Sequence, residues 1–215
     1  GEWPWQNRRL WRPRVWSRWA DPVSALDALD AWNLALFARW NLAPSDPFWL
    51  VHLARMASAW LPGLALGWLC LVMVFGPMRW RRLVVQAAVA MGVVWLLVRG
   101  IHLQWPSPRP FVLGLGHAWI DHRPTAGFPS HHAAIAMAFG LLCLIASPSR
   151  WIGLLCLATG LLIAWSRVAL GVHFPRDVLA GGLLSLLVVS LVLWLTPQAQ
   201  RRQAAAASGG PVERE

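Results

Sequence analysis

The sequence predicts an all-α fold: a polytopic membrane helical bundle of five transmembrane helices, or six if residues 23–42 also cross, with an N-terminal interfacial amphipathic helix. Three observations lead there. Of the 215 residues, 57% are hydrophobic and only 13% charged, fewer charges than a soluble domain of this length carries. Long apolar runs recur along the chain, joined by polar connections. The chain also holds 17 tryptophans, a residue that favours membrane–water interfaces.

Taken in order, residues 1–20 interleave Trp3, Trp5, Trp11, Trp16 and Trp19 with Arg8, Arg9, Arg12, Arg14 and Arg18. This reads as a membrane-surface segment, cations on headgroups and indoles in the interface, or else as an unstructured basic tail. No secretory signal is expected there, because an uninterrupted apolar core and a small-residue cleavage site are missing. Residues 22–41 read as an amphipathic helix, with Val23, Leu26, Leu29, Leu34 and Phe37 at mostly helical spacing. Asp27, Asp30 and Arg39 argue against a span, since each charge at mid-membrane costs ~2.5–3.5 kcal/mol. The expected spans are Trp49–Phe75, Leu83–Val98 running on towards Leu103, Ala133–Ala146, Trp151–Trp165 and Val178–Leu195. A span needs ~20 apolar residues, so the third is short; its helix is expected to begin at Ser130, recessed into a polar cavity. Residues 21–197 thus form one transmembrane domain, and 198–215 a cytoplasmic tail whose end, Ala204–Glu215, reads as disordered. Cys70, Cys143 and Cys156 lie inside apolar runs without metal-type spacing and read as packed thiols.

The formal charge of +10 admits a nucleic-acid reading, but the basic residues flank apolar runs instead of tracking one soluble face. Anionic headgroups and a phosphorylated substrate account for them better, and no nucleic-acid partner is expected. The connections Met78–Arg82, Ser147–Arg150 and Gln198–Gln203 are basic and belong in the cytoplasm by the positive-inside rule. The opposite face then holds Gln104–Ser130 and Ser166–Asp177. Five spans leave the Arg-rich N-terminus on that outer face, against the rule; a sixth span at 23–42 or an N-terminus held at the outer surface resolves the conflict.

Those two outer segments carry the chemistry. Arg109 sits in Pro108-Arg109-Pro110, Ser130, His131 and His132 open the third span, and Ser166-Arg167 is followed by His173 and Asp177. Arginines grip phosphate oxygens with a planar fork of donors. Histidines serve as nucleophile or proton donor, and an Asp beside a His fixes its tautomer and supports its positive charge. Three such clusters at the ends of apolar helices can build one phosphate-handling site at a membrane surface.

The set Arg109-Pro110, Pro129-Ser130-His131-His132 and Ser166-Arg167-x5-His173-x3-Asp177 resembles the three-part signature of the type 2 phosphatidic acid phosphatase superfamily, over about residues 99–177. Residues 163–177 together with 127–132 are similar to its bacterial undecaprenyl-diphosphate phosphatase branch. The resemblance implies a membrane enzyme with His173 as nucleophile, Asp177 orienting it, and His132 as the acid for the leaving oxygen. It implies Arg109, Arg167 and Ser130 as phosphate ligands, with no metal or other cofactor. Two positions depart from the pattern. His102 stands where the superfamily has Lys, seven residues before the Arg, and His131 where it usually has Gly. Both are kept as candidate phosphate contacts, and Arg99 is a candidate substitute for the missing Lys. His117 and His122 read as loop residues, and Arg123 and Arg176 as headgroup contacts.

The resemblance implies a cell-membrane phosphatase acting on undecaprenyl diphosphate, through a phosphohistidine, to recycle the carrier lipid of the cell wall, and the basic connections put that activity outside the cytoplasm. Alternatives are a phosphatase of phosphatidylglycerol phosphate, phosphatidate or lipid A, a lipid phosphotransferase, or a non-enzymatic lipid-phosphate transporter or scaffold. A zinc site of His131, His132 and His173 is disfavoured by the paired arginines. A vanadate haloperoxidase is disfavoured by the spans. Oligomeric state is left open.

Overall fold

The computed structural model describes residues 25–208. The expected surface segment 1–20 and the last residues, 209–215, lie outside them. Residues up to Trp32 group as one unit and residues from Asn33 as another, and the second holds the bundle and all the candidate site residues. Every described element is helical: α1 (Ala25–Trp40), α2 (Phe48–Ala59), α3 (Leu61–Phe75), α4 (Met78–Gln104), α5 (His131–Ala146), α6 (Arg150–Ala169) and α7 (Pro175–Ser208), with a 3₁₀ turn at Pro110–Leu113.

Helix α5 is the centre of the bundle, packed against α4, α6 and α7. Its inward residues are small, with Ala133, Ala134, Ala136, Ala138 and Gly140 buried. Helix α6 answers with glycines. A Cβ at Gly160 would stand 2.6 Å from the Ala136 carbonyl oxygen, and one at Gly153 2.7 Å from that of Cys143. Neither carbonyl can retreat, so the two backbones touch; membrane helices associate through such small residues, because lipid supplies no hydrophobic drive between them. Helix α4 presents one stripe, Leu83, Ala87, Ala90, Val94 and Val98, to the same core. On α7, the Ser185 hydroxyl donates to the Ala134 carbonyl at 2.6 Å, inside the bundle. The outer surface is apolar: Leu64, Leu66 and Phe75 on α3 and Leu183, Leu187 and Leu191 on α7 are all exposed. Exposed apolar area on this scale marks a lipid-facing surface.

Three helices, α4, α6 and α7 to Thr196, are individually long and apolar enough to cross a membrane. The run expected as one span from Trp49 is two helices, α2 and α3, bent by 40° at Trp60. The cause is Pro62 in the first turn of α3, which donates no hydrogen bond and crowds the preceding turn. Helix α5 is a shorter apolar helix of 16 residues. Helix α7 continues to Ser208, so the tail expected to be irregular from Ala204 is helical for its Ala204–Ala207 stretch. Alanine is the strongest helix former, and that composition outweighed the absence of an apolar face.

The connections that carry the candidate site residues are pinned to one another. Asn41 Nδ2 donates to the carbonyls of His117, at 3.0 Å, and Ala169, at 3.1 Å, while its Oδ1 accepts from the His117 amide at 2.7 Å. One amide side chain thus fastens the 105–129 loop to the end of α6. Gly171, in the left-handed region at φ 74°, lies where a Cβ would meet the His117 carbonyl oxygen at 2.2 Å. Phe37 packs edge-on against Phe174, and the Arg176 amide donates to Asn33 Oδ1 at 3.0 Å. The turn between α6 and α7 is buried as a result: Leu170, Val172, His173 and Phe174 are all inaccessible.

Candidate active site

His173 lies on that buried turn, four residues before Asp177 in the first turn of α7. This spacing places both side chains on one side of the helix start. His173 Nδ1 is 3.4 Å from Asp177 Oδ2, and the same oxygen accepts from the Phe174 amide at 2.9 Å. The carboxylate therefore caps α7 and orients the imidazole at once. On the other side of the ring, Nε2 is 2.7 Å from a terminal nitrogen of Arg109. A guanidinium can only donate, so Nε2 carries the lone pair and Nδ1 the proton, turned towards Asp177. Burial first, then the charges of Arg109 and Arg167, pushes His173 well below the ordinary imidazole range. It is held neutral, with a nucleophilic nitrogen aimed at the arginines.

Arg109 precedes the 3₁₀ turn and is fixed by the loop around it. It donates to the carbonyls of Thr125 at 2.9 Å, Ala126 at 3.0 Å and Val172 at 3.0 Å, and to the Thr125 hydroxyl at 3.2 Å. Burial lowers it to about 10, with Asp177 opposing, so it stays charged at neutral pH. Arg167, in the last turn of α6, is only 2% exposed. One terminal nitrogen donates to the Ser58 hydroxyl of α2, while Nε and the other terminal nitrogen have no partner. Two unpaired donors on a buried guanidinium are costly unless an anion takes them up.

Ser130 caps α5 as expected, accepting from the Ala133 amide at 3.5 Å, and its own amide donates to the Asp177 carbonyl at 3.0 Å. The free amides at the start of α5 thereby face the same locality. His132 stands on the first turn of α5 and opens onto a cleft of about 420 Å³ between α3, α4, α5 and α6. Its walls are apolar, among them Leu66, Met91, Trp95, Phe139 and Ile163, with His131 and His132 as its histidines.

His102 and His131 meet each other, with ring centroids 4.8 Å apart and edge to face. His102 Nε2 donates to the Pro129 carbonyl at 2.8 Å, and His131 Nε2 is 3.4 Å from the Trp95 carbonyl. The two positions that depart from the family pattern thus form one pair, with a ring nitrogen of each turned to backbone. Arg99 is exposed. Two residues missed in the sequence reach the site through the arginines, Ser58 and Thr125, while His122 lies on a loop as expected, its ring centroid 6.4 Å from that of His173. Nothing in the local sequence marks Ser58 or Thr125 as partners of the arginines. Among the described residues no group of three or more His, Cys, Asp or Glu side chains is gathered to hold a metal ion.

Comparison with known proteins agrees with this geometry. The PAP2 superfamily pattern matches residues 83–201, more than half of the chain. The putative undecaprenyl-diphosphatase YbjG of Escherichia coli is 31% identical over 169 residues, 77% of this chain and 84% of that protein. The undecaprenyl-diphosphatase BcrC of Bacillus subtilis is 34% identical over 57% of this chain and 60% of its own. Among solved structures, Aquifex aeolicus LpxE superposes with a TM-score of 0.62 at 24% identity, covering 75% of this chain and 94% of that one. A PAP2-type phosphatidylglycerolphosphate phosphatase from Bacillus subtilis superposes at 0.61 and 21% identity, covering 80% and 87%. These two likenesses establish the fold. With the pattern match and the YbjG alignment, they place this chain in the PAP2 superfamily of membrane phosphatases.

Proposed function

We propose that the protein hydrolyses undecaprenyl diphosphate to the monophosphate, with His173 as nucleophile. The observation that carries this reading is the buried His173–Asp177 pair facing Arg109 and Arg167, with two guanidinium nitrogens of Arg167 left without a partner. The terminal phosphoryl group enters between the arginines, displacing Arg109 from Nε2. The Nε2 lone pair attacks phosphorus while the bond to the bridging oxygen breaks, and His132 gives that oxygen a proton. Asp177 supports the imidazolium, and the arginines and Ser130 take the charge on the non-bridging oxygens. Water then attacks phosphorus from the vacated side and returns a proton to His132. The P–N bond breaks, freeing orthophosphate and His173.

A lipid substrate is supported by the apolar cleft that ends at His131 and His132, which suits a hydrocarbon chain. The polyprenyl diphosphate is supported by the names of YbjG and BcrC. The purified protein in detergent should therefore release phosphate from undecaprenyl diphosphate faster than from phosphatidate, phosphatidylglycerol phosphate or a lipid A phosphate. Preference for one of the last three would replace the substrate, and no release from any would refute the assignment.

Counting α2–α3 as one bent span and α5 as a recessed one, we infer five spans, with α1 not crossing the membrane. The basic connections at Arg79–Arg82 and Arg150 and the tail at 198–215 are then cytoplasmic, and the site opens to the outer face of a bacterial cell membrane. Leu113 and Pro148 are exposed on the two opposite connections. In protein with all three native cysteines changed to alanine, Leu113→Cys should react with an impermeant thiol reagent in intact spheroplasts. Pro148→Cys should react only after lysis, and the reverse pattern would invert the topology.

A further inference from the structure

His122 is not part of the three-part pattern, yet it sits among the charged groups of the site. Its ring centroid is 6.3 Å from that of Phe111 and 6.4 Å from that of His173. Nδ1 is 2.9 Å from the Arg123 carbonyl, and a carbonyl can only accept, so Nδ1 carries the proton. Nε2 is then a bare lone pair with no hydrogen-bond partner among the described residues. Its chain neighbours Asp121 and Arg123 are exposed. The charged and titratable groups that face it are Arg109 from the loop, Arg167 from α6, His132 from α5 and His173 from the α6–α7 turn.

The site offers few free hydrogen-bond donors to the oxygens of a phosphoryl group. A terminal phosphoryl group of a diphosphate carries close to two negative charges. Of the cations that could meet it, Arg109 already spends its donors on Thr125, Ala126, Val172 and His173. Arg167 offers two unpaired nitrogens. His102, at the position where the family pattern has Lys, donates Nε2 to the Pro129 carbonyl. Two free nitrogens on Arg167 leave phosphoryl oxygens that can accept from a further side chain.

We propose that His122 is a further phosphate-contacting residue, whose Nε2 takes a proton from solvent as the phosphoryl group enters and donates it in a hydrogen bond to a non-bridging oxygen. Substrate binding is thereby coupled to proton uptake on this ring, and the Arg123 carbonyl holds it in the orientation that leaves Nε2 for phosphate. Burial, then Arg109 and Arg167, keeps the empty-site ring below the ordinary imidazole range, the Arg123 carbonyl opposing. An arriving dianion reverses the sign of the local field and favours the imidazolium. Above the empty-site value, affinity then falls as pH rises, because the proton must be found at the moment of binding. This rests on the phosphatase reading and assigns a ligand to that same site.

Vanadate binding to the detergent-solubilised protein tests it. Calorimetry in two buffers of different ionisation enthalpy gives the protons taken up. At slightly alkaline pH the wild type should take up about one more proton per site than His122→Gln. The titration of vanadate itself is common to both proteins and cancels in the difference. His122→Gln keeps a donor and should bind more weakly with a flatter pH dependence, and His122→Arg should restore affinity with no added uptake. A residue that only packs the loop would leave uptake unchanged in either variant. Protein with ¹⁵N-labelled histidine gives a second reading: one Nδ1–H imidazole should become imidazolium on adding vanadate in the wild type and not in His122→Gln. Equal uptake in wild type and His122→Gln, or no such conversion, overturns the proposal while leaving phosphate release intact. Failure of the wild type to bind vanadate at all would contradict the phosphatase reading, and this inference with it.

Discussion

His173→Ala is expected to lower turnover by ~10⁴-fold or more, the scale seen when a covalent nucleophile is deleted and the rest of a site remains. No other described imidazole combines an oriented lone pair with a hydrogen bond to Arg109. The imidazole is fully buried, so its loss leaves Asp177 beside a cavity, and some stability is lost with it. His173→Asn keeps a polar group of similar reach and serves as the control for folding. Both variants should show a cooperative thermal transition, lowered in His173→Ala by the cavity, and phosphate release ~10⁴-fold or more below wild type. Turnover within tenfold of wild type in either would remove His173 from the reaction.

The second large effect is expected at the arginines. Arg167→Lys keeps the charge but loses the planar fork, and with it the two nitrogens that now have no protein partner. The cost should be ~10²-fold or more in kcat, as for the removal of one preorganised donor. The Michaelis constant should change much less, because the oxygens need these donors most when charge concentrates on them. Arg109→Lys should be at least as damaging, since the fork also holds Thr125, Ala126 and Val172 in place. Steady-state phosphate release against substrate concentration separates the two effects. An Arg167→Lys enzyme with unaltered kcat would show that this guanidinium is not a transition-state ligand.

Much of this site was legible in the sequence because its chemistry is local. His173 and Asp177 are four residues apart at a helix start, a spacing that by itself puts an acid beside an imidazole. Ser130 before an apolar run announces an N-cap. What was not legible depends on how distant segments fold onto one another. Ser58 reaches Arg167 across more than a hundred residues of chain, and Thr125 reaches Arg109 only because the 105–129 loop curls back. His122 looked like any loop histidine until that loop, pinned by Asn41 and by Trp119 Nε1 on the Leu42 carbonyl, laid it beside His173. The pairing of His102 with His131 has the same origin: neither residue type reveals that two unusual positions are in contact.

The helices show the same division. Stripe spacing on α4 and the small residues of α5 and α6 are sequence features, and they set the packing directly. The break at Trp60 is different. Pro62 was visible, but apolar composition on both sides masked it, and hydropathy alone does not tell a straight span from a bent one. The bend leaves α2 to carry Ser58 towards α6 while α3 lines the apolar cleft, so one irregularity serves both the phosphate end and the lipid end of the site.

The central claim is that phosphorus passes through His173. Brief incubation with substrate labelled in its terminal phosphoryl group, followed by a quench without acid, tests it most directly. A phosphohistidine intermediate predicts protein-bound label that is stable to base, lost in acid, and missing from His173→Ala. Label that survives acid, as phosphoserine does, or label that persists in His173→Ala, would contradict it.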